Sequence, residues 1–351
     1  MTNPQNQQKF KLGKALIIGV TLLTGLGIFQ IALSQLLLKQ TAPKVNFAIQ
    51  PQFDYASPFS EEMARVKIGN KWGYINKTGK LVIPAKFDGY PVDGAIYFSL
   101  SFMDKHHRSF RYSGNFSQGL APVQVGNKWG YIDKRGRMVI PPKFACADDF
   151  SEGLAAVGNQ GMYINQKGQA VFTHQFGCNS SKFFQGLALI GRDTIINKKG
   201  KVVYHLSENF GSESPLSGFS ENLLVVNKSN NFDFGFLDRE GKIVIKPQFH
   251  LAYPFSEGLA LVRNKPTGSR SGFGFINKTG KFVIPPNLII PASFSQGLAP
   301  FCMGESACGY IDKSGKVVIQ TQFADVSSFS ENIAPVKVGN KWGYIYHPFK
   351  R

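Results

Sequence analysis

Apolar and polar positions alternate with a period of two through most of this chain, and the same stretch of alternation is written about eight times. In one copy, Leu120-Ala121-Pro122-Val123-Gln124-Val125 has the rhythm of a half-buried strand. Gly126-Asn127-Lys128 then reads as a hairpin, because Gly and Asn tolerate the positive φ of tight turns. Trp129-Gly130-Tyr131-Ile132-Asp133 is a second strand, rich in aromatic and β-branched residues. Lys134-Arg135-Gly136-Arg137 is a second turn, and Met138-Val139-Ile140 is a third strand stopped by Pro141-Pro142. The Ile or Leu of the second strand recurs at 75, 132, 164, 196, 237, 276, 311 and 345, at spacings of 32 to 57 residues. The pattern predicts an all-β repeat domain of about eight three-stranded antiparallel units, each burying its apolar face against its neighbours.

A Gly stands in the second turn at 79, 136, 168, 200, 241, 280 and 315, where a left-handed residue closing a three-residue turn admits no side chain without strain. Trp72, Trp129, Phe234, Phe273 and Trp342 fill one slot of the second strand. A row of exposed ring platforms would need that slot open. Its regular alternation with Tyr and Ile instead predicts core between repeats.

The string GNKWGYINKTGKLVIP, residues 69–84, carries a family resemblance. The repeats resemble the WG-containing repeat family, also called KWG repeats, over roughly residues 47–346. The Trp-Gly pair departs from that pattern at Gly161-Met162, Asp193-Thr194 and Cys308-Gly309, and looser packing is expected in those units. The resemblance implies a scaffold and brings no general activity with it.

The phase of the copies bears on architecture. The last copy stops at Tyr344-Ile345-Tyr346 without a third strand, whereas Val45 to Phe53 reads like the strand it lacks. A propeller-like ring uses such a split unit to join its ends, and that ring is favoured over an open β-solenoid. Propeller blades usually have four strands, so a further short strand is expected in the Phe-to-Phe linkers, such as 53–59, 144–150 and 249–255.

Before the repeats, residues 15–38 are uncharged, and as a helix they reach about 36 Å, enough to cross a bilayer core. Lys9, Lys11 and Lys14 precede them without an acidic residue, which predicts a cytoplasmic tail over 1–14. The division expected is therefore tail 1–14, transmembrane signal anchor 15–38, tether 39–44 and repeat domain 45–351, single-pass and extracytoplasmic. A cleaved signal peptide is the rival, but Leu36-Leu37-Leu38-Lys39-Gln40 is a poor cleavage site.

An oxidising compartment would allow two disulfides, Cys302–Cys308 across one hairpin and Cys146–Cys178 at equivalent places on neighbouring units. Four buried thiols are the competing reading. Neither pair has CxxC spacing and no His stands to complete a zinc site, so no metal or cofactor is expected.

The net charge of +18 is concentrated in the turns, at Lys71, Lys77, Lys80, Lys128, Lys134, Arg135, Arg137, Lys198, Lys199, Lys201, Lys278, Lys281 and Lys341. On successive repeats these should share one edge as a basic band, attractive to anionic lipid, envelope polymer or nucleic acid. Outside the cytoplasm the first two are the better match. Between Phe87 and Phe116 the chain inserts roughly 25 extra residues, among them His106, His107, Arg108, Arg111 and Tyr112. Unit-specific insertions in repeat proteins are often binding loops, so these five are the candidate binding residues. No phosphate-cradling GxxxxGK[ST], GxSxG elbow or HExxH occurs, so no catalytic residue is assigned. The partner expected is a protein or an anionic envelope component. A structural envelope protein gripping polymer or lipid is the second reading, and an enzyme using His106 and His107 the third.

Overall fold

In the computed structural model, the structure describes residues 45–89, 114–158, 161–174, 181–206, 210–211, 218–228, 233–265, 272–304 and 306–350. The predicted tail, span and tether over 1–44 lie outside them. No helix among the described residues is long and apolar enough to cross a membrane.

The described chain forms eight antiparallel sheets, here called blades 1 to 8. Blades 1 to 7 comprise residues 55–87, 116–144, 147–173, 181–205, 210–249, 251–288 and 290–323. Blade 8 combines 325–346 with the strand Phe47–Phe53 from the other end of the domain. That strand pairs antiparallel with Lys341–Tyr346, in the register Phe47↔Ile345, Ile49↔Tyr344 and Phe53↔Trp342. Three strands per unit is too few for five blades. Tyr55–Ala56, Phe210–Gly211, Leu251–Ser256, Ile290–Pro291 and Asp325–Val326 each add a fourth, and in blade 3 a single bridge, Ala147↔Val157, marks the place. Four of these added strands are two residues long, too short to display a period.

Eight hydrophobic clusters lie between the blades, one at each interface. An open row of eight sheets has only seven interfaces. The eighth joins Ile49, Phe53, Trp342 and Tyr344 of blade 8 to Ala56, Phe59, Val66 and Ile75 of blade 1. The sheets therefore close into a propeller-like ring. Trp72, Trp129, Phe273 and Trp342 are buried in these clusters, as a core role for their slot requires, while Phe234 in the same slot is half-buried against one of them.

The Gly of the Trp-Gly pair has its own physical cause. Trp72 pairs with Phe87 and Tyr74 with Ile83, so three outer-strand residues, Pro84, Ala85 and Lys86, stand opposite the single Gly73. A Cβ on Gly73 would lie 2.6 Å from the Ile83 carbonyl oxygen and 2.8 Å from the Ala85 nitrogen. Where the Gly of the pair is lost, the bulge opposite it is lost too, and only the register shift next to the second turn remains. Met162 and Thr194 take the Gly position, and their outer strands, Ala170–Thr173 and Val202–His205, have four residues in place of seven. In blade 7 the Gly is kept and the Trp is replaced by Cys308, which is bonded to Cys302 directly across the hairpin.

The second turns share one design. Asn76, Asp133, Asn165, Asn197, Asp238, Asn277 and Asp312 each accept from the N–H groups two and four residues on. The Gly that follows has positive φ in all seven, and a Cβ there would press on the preceding blade, as Gly79 on Ile49 at 2.9 Å.

Candidate binding faces

Within a blade, strand Lys71–Ile75 separates the first hairpin from the second turn, so the two turns lie at opposite ends of the sheet. The basic residues predicted to share one edge are therefore divided. Lys71, Lys128 and Lys341 belong to a hairpin face, and the remaining ten to the opposite, turn face. Ion pairs also engage seven of the thirteen, namely Lys71, Lys77, Lys134, Arg137, Lys198, Lys278 and Lys341.

On the turn face the Phe-Ser-Glu/Gln-Gly segments meet in a cycle. Each is a two-residue turn with both central residues at positive φ, such as Glu152 at 51° and Gly153 at 85°. The Ser hydroxyl donates to the carbonyl of the equivalent Phe in the next blade, from Ser60 to Phe116 at 2.7 Å, then Ser117 to Phe150 and Ser151 to Phe183. It continues from Ser220 to Phe255, Ser256 to Phe294 and Ser295 to Phe329, and Ser330 returns to Phe59. The one missing link, between blades 4 and 5, is where Phe184 stands in place of Ser.

The acidic residue of the turn accepts an N–H from the next blade, as Glu61 does from Gly119, and an ion pair from that blade's second turn, as Glu61 does from Lys134. Lys198 with Glu152, Lys278 with Glu221, Lys313 with Glu257 and Lys77 with Glu331 repeat this. Where the turn carries Gln, the partner is not Lys. Gln118, Gln185 and Gln296 meet Gln166, Arg239 and His347. The identity of one residue is thus matched to another about 50 positions away, a coupling that inspection of single repeats does not reveal. Burial pushes the His347 imidazole below its ordinary value. The neutral ring can donate from Nε2 to the Gln296 carbonyl and accept at Nδ1 from the Phe349 N–H.

The candidate binding residues His106, His107, Arg108, Arg111 and Tyr112 lie outside the described residues, but the foot of their insertion is described. Gly89 and Gly114 flank it. Tyr74 donates its hydroxyl to the Gly114 carbonyl at 2.7 Å, and the Gly114 N–H donates to Asp149 Oδ1 at 3.1 Å. Lys182 Nζ donates to Asp149 Oδ2 at 2.8 Å, and the Arg65 guanidinium lies 4.2 Å above the Trp72 ring. Burial pushes the Tyr74 phenol far up, so it stays a neutral donor. Blades 1, 2, 3 and 4 thus converge on this foot through Arg65, Gly114, Asp149 and Lys182. Sequence reading passed over Arg65, although its position in the other repeats is Pro122, Ala156, Leu189, Val225, Leu261, Pro300 and Pro335. A charge in an otherwise apolar column was the available signal.

Cys146 is also disulfide-bonded, while Cys178 lies outside the described residues. No group of three or more His, Cys, Asp or Glu that could hold a metal occurs among the described residues.

A ring of repeated hairpins held by a Trp-Gly signature defines a repeat scaffold with two turn-lined faces. The chain belongs to the WG containing repeat family, whose model matches residues 46–72, 72–91, 110–129, 129–161, 234–265, 273–305 and 309–342. Residues 162–233, which hold Met162 and Thr194 in the place of the Gly, lie between two of these matches. Among solved structures it is similar to BamB from Moraxella catarrhalis, at TM-score 0.49 and 11% identity, covering 85% of this chain and 99% of that one. It is also similar to PorZ, a surface component of the type-IX secretion system of Porphyromonas gingivalis, at TM-score 0.42 and 10% identity, covering 86% and 38%. No curated protein sequence matches it.

Proposed function

We propose that this chain is a membrane-anchored, extracytoplasmic binding scaffold that performs no catalysis. The observation that carries the reading is how the ring uses its polar groups. The turn hydroxyls and five of the buried tyrosine hydroxyls, those of Tyr74, Tyr131, Tyr163, Tyr310 and Tyr344, are committed to holding blade to blade. What departs from the repeat is the insertion over 90–113, rooted where four blades converge. The uncharged run 15–38 and the basic tail before it support the anchor and its orientation. The disulfide at Cys302–Cys308 suits an oxidising compartment.

The test is affinity capture from envelope extract, with the intact chain beside a version in which Gly89 to Ser113 is cut to a short turn. Capture of one partner that resists moderate salt and is lost with the cut is the expected result. Equal capture by both, washed away as exposed charges are screened, would replace this reading with the second one, a structural protein holding anionic polymer or lipid.

A further inference from the structure

The outer edge of the ring carries a repeated pattern in which, among the described residues, only Phe282, edge-on to Phe249 of the preceding blade at 6.1 Å, and Val318, half-buried against a core cluster, are engaged by the packing between blades. In the turn-to-strand step of each blade, the residue after the turn Gly is basic in six of seven cases: Lys80, Arg137, Lys201, Lys242, Lys281 and Lys316. All six are exposed. Two apolar residues follow each of them, for example Leu81-Val82, Val202-Val203 and Phe282-Val283. At least one large apolar side chain at these two positions is left 36–49% exposed in each of the seven blades, and both are in five of them, whereas Val318 of blade 7 is half-buried against the core. One such pair is ordinary on a folded surface. Exposed apolar side chains at the same height in seven successive blades, in pairs in five of them, make an apolar hoop, and hoops of this kind mark interaction surfaces. The third residue of each seven-residue outer strand, such as Ile83, Ile140 or Ile245, is buried, and Phe172 and Tyr204 at that place in the two short strands are half-buried, so the hoop is confined to the rim of the turn face.

Charge and chain entry indicate the occupant. Lys and Arg beside exposed Val, Leu and Phe match the boundary of an anionic bilayer, where the basic groups meet headgroups and the apolar groups enter the acyl margin. The strand Phe47–Phe53 is the outer strand of blade 8, so its start lies on the same rim as the starts at Leu81 and Met138. The chain therefore reaches the ring at the turn face. Residues 39–44 between the apolar run and Val45 span at most about 20 Å. We propose that the turn-face rim docks on an anionic lipid surface, leaving the hairpin face turned away from it. This rests on the membrane placement proposed above and assigns it a face.

The assay is co-sedimentation of residues 45–351, a unit that contains all eight of its interfaces, with vesicles of phosphatidylcholine alone or mixed with phosphatidylglycerol. Binding is expected only to the mixed vesicles. Lys80→Gln/Lys201→Gln/Lys281→Gln should weaken it roughly a hundredfold. Leu81→Gln/Val203→Gln/Phe282→Gln should weaken it with charge unchanged, while Lys67→Gln/Lys128→Gln/Lys337→Gln on the hairpin face should not. Melting curves verify that each variant is folded. Equal binding to both vesicle types, equal loss from the hairpin-face variant, or self-association through the rim in the absence of vesicles would each overturn the assignment. The anchor takes no part in this assay. Whether the full chain sediments with membranes is read separately, so the failure of one idea is distinguishable from failure of the other.

Discussion

Gly343→Ala should unlatch the ring. Gly343 stands in the Trp-Gly position of blade 8, and its φ is not in the left-handed region, so an alanine there is strained only by what it meets. A Cβ would lie 2.6 Å from the Ile49 carbonyl oxygen, 2.6 Å from the Pro51 nitrogen and 2.9 Å from the Gln50 carbonyl carbon. Ordinary contact begins near 3.4 Å, so the overlap approaches an ångström and involves backbone that cannot rotate away. Relief requires the strand Phe47–Phe53 to move off its partner, and overpacking of this kind costs on the order of 3 kcal/mol. Gly69→Ala is the control. Its φ is +60° and nothing lies within 4 Å, leaving only left-handed strain of about 1 kcal/mol. Thermal melts of both variants should show Gly343→Ala lower by about 3 °C than the control, since the costs differ by about 2 kcal/mol and the unfolding entropy grows with chain length. Hydrogen exchange should show that loss of protection begins in residues 45–53. If the two variants melt together, or residues 45–53 stay protected, the crowding argument for the Trp-Gly glycine is wrong.

The interface between blades 4 and 5 lacks the Ser link because of Phe184, and it has Ile195 where other blades place a Tyr or Phe. Its amides, at 187–197 and 219–226, should exchange first among the interfaces, and uniform exchange around the ring would contradict this. Burial lowers the His347 and His174 values below the ordinary 6.5. Because both favour the neutral form when folded, their contribution is complete above pH 6.5 and is lost as pH falls through the folded values. A melting temperature that falls on going from pH 7 to pH 5.5, less steeply in His347→Gln, is expected. Cys302→Ala/Cys308→Ala should cost about 2 kcal/mol from the short loop it opens, read as a lower denaturation midpoint. No change there would mean that the Trp slot of blade 7 tolerates a smaller filler.

Much of this architecture was legible because eight copies vary against one pattern. The strand at 45–53 could be assigned to the last blade from its likeness to Ile243–Phe249, and the second-turn glycines from their regular placement. The fourth strands were visible only as linkers, since two residues such as Tyr55–Ala56 carry no alternation. The basic band was misplaced on one edge because the two turns were pooled. A strand of five residues, Lys71–Ile75, puts Lys71 and Lys77 at opposite ends of the sheet. Pairing between blades was also out of reach. Glu331 and Lys77 are 254 positions apart and are joined only when the ring closes. The foot of the insertion lay hidden for a similar reason, since Arg65, Asp149 and Lys182 come from three different repeats.

Small-angle scattering from residues 45–351 tests ring closure most directly. A compact domain of this length has a radius of gyration of about 19 Å. Eight sheets in an open row, spaced about 10 Å apart, would give a rod near 80 Å long and a radius of about 26 Å. The closed ring predicts the smaller value. The larger one would mean that the strand Phe47–Phe53 does not complete blade 8, and the account built on closure would fall.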